Sequence, residues 1–294
     1  MPFSHIALAV FVMMLWGFNF TAIGLALHQI NPLLLCVLRF FFSSLPAIFF
    51  IARPSIPFKK VIEYGLLTFA LQFVLLFLGM YLGVTAGLTA LLLQSNVFFS
   101  MFFAFLFLKE PIHGIQIIAA IIAFLGVAII WSHIQGQVTP QGFLCVIAAA
   151  VCWSLGSLFA RKMGKTNMFS VVVWSSFIAW PPVLFVFAGI QGEQTLPLLS
   201  QLFSLSWISW SAILFISYVS TLFCFYVWNN LLSHYPLTVV APFTLLVPVF
   251  GMLSSALILK ETLDSWKIYA GILIIIGLCV NLMGGKILKK KMIQ

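Results

Sequence analysis

Charge is what this chain has least of. Five acidic residues stand against 14 lysines and arginines among 294, and charged residues make up 6% of the total. Soluble domains carry about 25%, so this chain cannot cover a globular surface with polar groups. The formal charge of +9 invites a nucleic-acid reading. Most of the basic residues, however, lie at the ends of apolar stretches, which is the pattern of membrane orientation and not of a basic binding face. The acids Glu63, Glu110, Glu193, Glu261 and Asp264 also lie near such ends, as do His5, His28, His113, His133 and His234. No carboxylate stands at mid-stretch, where a proton-coupled carrier would use one. That favours facilitated diffusion or exchange over a carboxylate-driven pump.

Cysteine chemistry is missing as well. Cys36, Cys145, Cys152, Cys224 and Cys279 form no CxxC and no zinc spacing. All sit in apolar stretches and read as small packing residues. No HExxH, paired acids or Ser-His-Asp set can be assembled at one depth, so neither an enzyme nor a metal or cofactor is expected. The first residues lack a basic n-region and a small-residue cleavage site. Residues 5–27 are therefore expected to be a retained first span.

What the chain has is grease: 63% of its residues are hydrophobic. A spanning helix needs roughly 20 mainly apolar residues, and ten stretches qualify: 5–27, 33–52, 61–81, 86–108, 112–132, 140–160, 168–189, 207–231, 236–259 and 266–285. Turn chemistry separates them. Asn31-Pro32 divides the first pair, Arg53-Pro54 with Pro57 ends the second, and Pro111 and Pro140 suit the first turn of a following helix. With the N-terminus in the cytoplasm, eleven cations fall on cytoplasmic ends, from Arg53, Lys59 and Lys60 to Lys286, Lys289, Lys290 and Lys291. The outer loops receive two, Lys260 and Lys267. The opposite orientation inverts this bias, so both termini are predicted to be cytoplasmic.

The apolar text also repeats. Leu108-Lys109-Glu110 returns as Leu259-Lys260-Glu261, and at the same offset of 151 Ala119 meets Ala270 and Gly126 meets Gly277. Trp16-Gly17 is echoed by Trp153-Ser154. Five spans per half make the second half enter the membrane upside down. The predicted fold is an all-α polytopic membrane protein of two inverted five-helix repeats, residues 1–135 and 136–285, with a basic tail at 286–294. Glu110 and Glu261 are each expected to meet the positive end of the helix that they begin.

These features resemble the EamA family of the drug/metabolite transporter superfamily. The ten-span plan, Trp16-Gly17-x-Asn19-Phe20, Arg39-Phe40 and the two Lys-Glu span ends carry the likeness, over essentially the whole chain. Pro46-Ala47-Ile48-Phe49-Phe50, Ala52-Arg53-Pro54, Leu93-Gln94, and Ala241-Pro242 with Leu245-Leu246-Val247-Pro248-Val249 are similar to the branch that exports cysteine and O-acetylserine. The resemblance implies a bacterial inner-membrane exporter of small amino-acid metabolites working by alternating access. It also implies a central cavity lined chiefly by helices other than the fifth and tenth. Two other readings stand beside it: a permease of the same superfamily for other amino acids, drugs or metabolites, and a structural or assembly protein that moves nothing.

Polar side chains within spans usually face the protein interior or a wet cavity. Asn19, Gln72 and Asn96 recur near mid-span, with Gln94 a little nearer the outer side. Uncharged amides suit a small zwitterion; interhelical glue is the other role open to each. Trp16 stands beside Asn19. On the eighth span Tyr218, Thr221, Phe225 and Trp228 have helical spacing and are predicted to share one face, either as the wall of a path or as packing. Arg39 is the one clearly intramembrane cation, about seven residues and roughly 10 Å into the second span. It either clamps a substrate carboxylate or snorkels outward and binds carbonyls. Pro242 and Pro248 are expected to kink the ninth span. Gly17 and Gly156 permit close helix approach or leave room for substrate. Small residues on the fifth and tenth spans could pack within the chain or between two copies, so a homodimer stays open. A small molecule and the lipid bilayer are the expected partners, with no nucleic acid.

Overall fold

The structure, a computed structural model, describes all residues except 110–113, 134–138, 164–165, 235–242, 245 and 292–294. Every regular element among the described residues is helical. In hydrocarbon nothing hydrates a free N–H or C=O, and a helix satisfies its own. Helix α1 is Phe3–Leu27 and α2 is Pro32–Ser44. Helix α3 joins Phe58–Tyr64, a π-helical stretch Gly65–Leu71 and Gln72–Tyr81. Helix α4 joins Ala86–Leu92 and Asn96–Leu108 through one tight turn. Then come α5, Gly114–Ser132, α6, Pro140–Met163, and α7, Met168–Gln191. Helix α8 runs Trp207–Leu214, π-helical Phe215–Phe223 and Cys224–His234. Helix α9 is Leu246–Ile258 and α10 is Ser265–Lys291. Among the described residues eight helical stretches are long and apolar enough to cross a membrane, and Leu246–Ile258 and Ser265–Val280 are shorter apolar helices. The chain is a polytopic membrane protein.

Local chemistry sets the helix starts. The Asn31 side chain accepts the Leu33 N–H at 2.9 Å, ahead of Pro32 at the first helical position. Asn167 does the same for Phe169 and Ser170, and Ser206 for Ser209. Each side chain meets an amide that the helix cannot satisfy. The second span, expected at 33–52, runs Pro32–Phe49 but is broken within, its last turn being a 3-10 turn at Ala47–Phe49. Helix α2 stops at Ser44 because Leu45, extended at φ −102°, precedes Pro46, and a proline disfavours the helical conformation of the residue before it. Pro248 is buried near the start of the described part of α9. Pro242 and Glu110 lie outside the described residues.

The core is held by close helix crossings. A Cβ on Gly126 would lie 2.7 Å from the Ala270 carbonyl oxygen, and one on Gly277 would lie 2.7 Å from that of Ala119. These are reciprocal contacts between α5 and α10, since both residue pairs share the 151 offset. The small-residue faces of these helices thus bury against each other within the chain. Likewise α1 meets α9 at Gly17, where a Cβ would come within 2.8 Å of the Gly251 nitrogen. Helix α2 packs on α7, and α3 on α6.

One end of the bundle is tied by polar contacts. Gln29 Oε1 accepts from Ser206 N at 3.2 Å, Ser206 Oγ at 2.9 Å and Ser209 Oγ at 2.8 Å. Glu261 accepts from Ala86 N at 2.9 Å and Gly87 N at 3.3 Å. The carboxylate does meet a helix N-terminus, but that of α4 and not of α10, the helix following it. At the same end His133 stacks on Trp266 with ring centroids 4.4 Å apart. Lys109 and Lys260, at φ 56° and 55°, hold the same left-handed conformation at repeat-matched positions.

Gly277→Val is expected to force α5 and α10 apart and cost about 1–3 kcal/mol, as overpacking of a close contact does. The check is the unfolding temperature of purified protein in detergent. An unchanged value would show that the crossing tolerates a side chain and that the contact is looser than described.

Candidate functional site

The site grows from α1. Trp16 donates its indole N–H to the Ser220 carbonyl at 3.0 Å, reaching into the π-helical stretch of α8. Its ring lies 5.5 Å from Phe225 and 5.6 Å from Trp228. Asn19 is one turn further along α1 and buried; its Oδ1 accepts from Arg39 Nη1 at 3.3 Å. The Arg39 guanidinium lies 4.1 Å from the centroid of the Phe73 ring and 5.8 and 6.0 Å from those of Phe40 and Phe77. Within about 6 Å an aromatic face attracts a cation, the more so where water is excluded. Phe69 joins the two groups, 5.3 Å from Phe40 and 6.1 Å from Phe225. A continuous set of rings therefore runs from Trp228 to Arg39.

Arg39 does not snorkel: it is 2% exposed. Among the described residues no carboxylate lies within ion-pair distance of it; the ion pairs present there are Lys59–Glu63 and Lys267–Asp264. Its Nε has no hydrogen-bond partner among the described residues. Burying a cation without a counter-ion is costly, and the rings and one amide offset only part of that cost. Ser43 fixes the backbone beneath it, with its hydroxyl 2.7 Å from the Arg39 carbonyl and 3.0 Å from that of Ser217. This ties α2 to α8.

Gln72 is fully buried, and neither its Oε1 nor its Nε2 has a partner among the described residues. Gln94 is also buried. Asn96 turns its amide back to the Leu93 carbonyl of its own helix, and its own carbonyl accepts from Ser154 Oγ at 2.8 Å. That makes Asn96 an interhelical tie between α4 and α6. The expected shared face of Tyr218, Thr221, Phe225 and Trp228 does not survive the π-helix. A π turn is wider than an α turn, so helical spacing no longer aligns these positions. Phe225 and Trp228 meet Trp16, whereas Tyr218 is 36% exposed and donates to the Leu45 carbonyl at 3.3 Å. The Thr221 hydroxyl is taken by the Ile216 carbonyl at 2.7 Å. Gly156 lies against Thr68, where an added Cβ would come 3.0 Å from the Thr68 Cβ. Both Gly17 and Gly156 thus serve close packing.

The two π-helical stretches were not foreseen. They occupy matching places, since Gly65–Leu71 shifted by 151 falls inside Phe215–Phe223. Short π segments are frequent at functional sites, and each of these carries a buried hydroxyl without a partner among the described residues, on Thr68 and on Ser220. The hydroxyl-rich run Ser217-Tyr218-Val219-Ser220-Thr221 was the available signal in the sequence.

The sequence matches the EamA-like transporter family over residues 3–132 and again over 140–283. The chain belongs to the EamA-like transporter family. Its relatives include the "Probable amino-acid metabolite efflux pump" of Escherichia coli (strain K12), 34% identical over 283 residues that cover 94% of each chain. The protein of the same description from Salmonella typhimurium is 34% identical over 286 residues, covering 95% of each. A protein of known crystal structure aligns over 97% of this chain and 98% of its own with a TM-score of 0.61, at 16% identity, a likeness of fold alone. In this transporter the Trp16–Asn19–Arg39 set lies between α1, α2, α3 and α8, away from the α5–α10 pair.

Asn19→Leu removes the acceptor of the Arg39 N–H while keeping side-chain bulk. Leaving such a donor unmet costs about 1–3 kcal/mol. Folded protein should still reach the membrane, with transport reduced severalfold. Normal flux through folded Asn19→Leu protein in vesicles would reduce this residue to packing.

Proposed function

We propose that this protein exports small amino-acid metabolites across the bacterial inner membrane by alternating access, with Arg39 holding the substrate carboxylate. The buried guanidinium, with no carboxylate within ion-pair distance among the described residues, carries this reading. Arginine presents a planar fork that suits a carboxylate, and Arg39 sits in an aromatic box beside the Asn19 amide. A bound α-amino acid would supply the counter-ion, and its ammonium group would find the amide oxygens and ring faces. The relatives described as amino-acid metabolite efflux pumps point to the same class of cargo. Cysteine-like and O-acetylserine-like compounds are the first to test.

The reading includes ten spans, two inverted five-helix halves and cytoplasmic termini. The two consecutive family matches, the reciprocal Gly126 and Gly277 contacts and the paired π-helical stretches support the halves. The bias of basic residues supports the orientation. In that frame the tied end, with Gln29 on Ser206 and Glu261 on α4, faces outward. Its contacts would have to part for release. Trp16, Gln72, Gln94 and Trp228 would line the route near the cation, and Gly17 and Gly156 would be the tight crossings on which the halves rock.

Purified protein in liposomes loaded with labelled cysteine or O-acetylserine should release label faster than empty liposomes. No release of any amino acid or derivative would end the exporter reading. Arg39→Gln should slow carboxylate-bearing substrates at least tenfold while affecting their amide analogues less, measured as initial efflux. Equal loss for both would make Arg39 a structural cation.

A further inference from the structure

The unmet polar groups near the centre are not confined to Arg39. Thr68 Oγ1, both amide atoms of Gln72 and Ser176 Oγ have no hydrogen-bond partner among the described residues, and their residues are 6%, 0% and 0% exposed. Thr68 and Gln72 lie one turn apart on α3. A Cβ on Gly156 or on Gly79, further along the same face, would run into the facing helix: Thr68 meets Gly156 of α6, and Gly79 meets Gly142 of α6. This face of α3 therefore looks toward α6, while the neighbouring Phe73 and Phe77 hold Arg39. Helix α7 crosses α3 one turn below Thr68, where a Cβ on Gly65 would lie 3.0 Å from the Ser175 carbonyl oxygen.

The repeat gives Ser176 a counterpart in the first half. Arg39 lies 23 residues after Trp16 and eight after Asn31; the same steps from Trp153 and Asn167 reach Ser176 and Ser175. Asn19 corresponds to Gly156 in the same way. Where the first half supplies a cation and an amide, the second supplies hydroxyls and a space, into which the Thr68 side chain projects.

We propose that Thr68, Gln72 and Ser176 form a second, uncharged half-site beside the Asn19–Arg39 pair, and that it reads a hydrogen-bonding side chain on the amino acid whose carboxylate Arg39 holds. This rests on the exporter reading above. A buried hydroxyl or amide left unmet is costly, and such a site discriminates strongly against a ligand that cannot make the bond, because its polar groups are then left unpaired. The half-site holds donors and acceptors together, so it accepts hydroxyl, carbonyl or amide groups and disfavours a methyl group in their place.

The test compares serine with 2-aminobutyrate, whose side chains differ by hydroxyl for methyl, as labelled substrates in proteoliposomes. Wild-type protein should favour serine about tenfold. Thr68→Val, which keeps shape, and Ser176→Ala should each lower the ratio severalfold, and Thr68→Ser should restore it. A wild-type ratio near one overturns the proposal, as does a ratio that neither variant changes in folded protein. If wild-type protein carries neither compound nor any other amino acid, the exporter reading falls and this proposal falls with it. Transport with an unaltered ratio removes the second half-site alone.

Discussion

A guanidinium in the middle of a greasy bundle is the constraint around which the rest is arranged. Arg39 cannot lose its charge as a lysine would, and it does not reach the membrane surface. Four helices therefore converge on it. Helix α1 brings the Asn19 oxygen, α3 brings the Phe73 and Phe77 rings, α8 is tied in through Ser43 and Ser217, and α2 carries the residue itself. These partners soften the burial of charge without neutralising it. A site in that condition is poised for an anion and selective against cations. Charges inside a bundle in hydrocarbon are costly and therefore few.

The helices around this cation meet through missing side chains. Gly17 against Gly251, Gly156 against Thr68 and Gly126 against Ala270 bring backbones together without interhelical salt bridges. In lipid the hydrophobic effect does not drive helices together, so fit and close approach must do so. Side-chain bonds to main-chain carbonyls add the polar part: Trp16 to Ser220, Ser154 to Asn96 and Trp174 to Ile51. Such bonds use acceptors that every helix already carries. Among the described residues they leave both amide atoms of Gln72 and the Nε of Arg39 without a partner.

The sequence made the all-helical, many-span character of the chain and the ordering of its polar landmarks legible because both depend on composition over long windows. Asn31-Pro32 marked a real helix start, since capping is local chemistry. Asn19 and Arg39 were visible because a polar group in an apolar run stands out, yet their mutual hydrogen bond was not, because nothing in a linear pattern shows which helix faces which. The face assigned to Tyr218 and Thr221 failed for a definite reason: it assumed an α period through a stretch that winds as a π-helix. The end of α2 at Ser44 was missed although Pro46 was there to signal it, because hydropathy runs on unbroken to Ile51. Glu261 was placed correctly at a helix N-terminus but on the wrong helix, and that distinction exists only in three dimensions.

Symmetry of scaffold and asymmetry of content are best understood together. If two inverted halves exchange conformations, the bundle converts between openings of similar energy, because each opening reproduces in one half what the other half had. That argument concerns packing, and the matched contacts of Gly126 and Gly277 and the matched π-helical stretches belong to it. The substrate has no such symmetry: an amino acid carries its carboxylate at one end and its side chain at the other. Residues that face such a ligand would be free to diverge, and the two halves do differ at Asn19 against Gly156 and at Arg39 against Ser175–Ser176. The π-helical stretches lie where these two demands meet. Each holds π winding at a matched place, and each bears a polar group without a partner among the described residues, Thr68 on one side and Ser220 on the other. Winding changes there would turn side chains toward or away from the centre without breaking the glycine crossings on either side. A rigid two-fold frame could in this way present an unsymmetrical ligand first to one side of the membrane and then to the other.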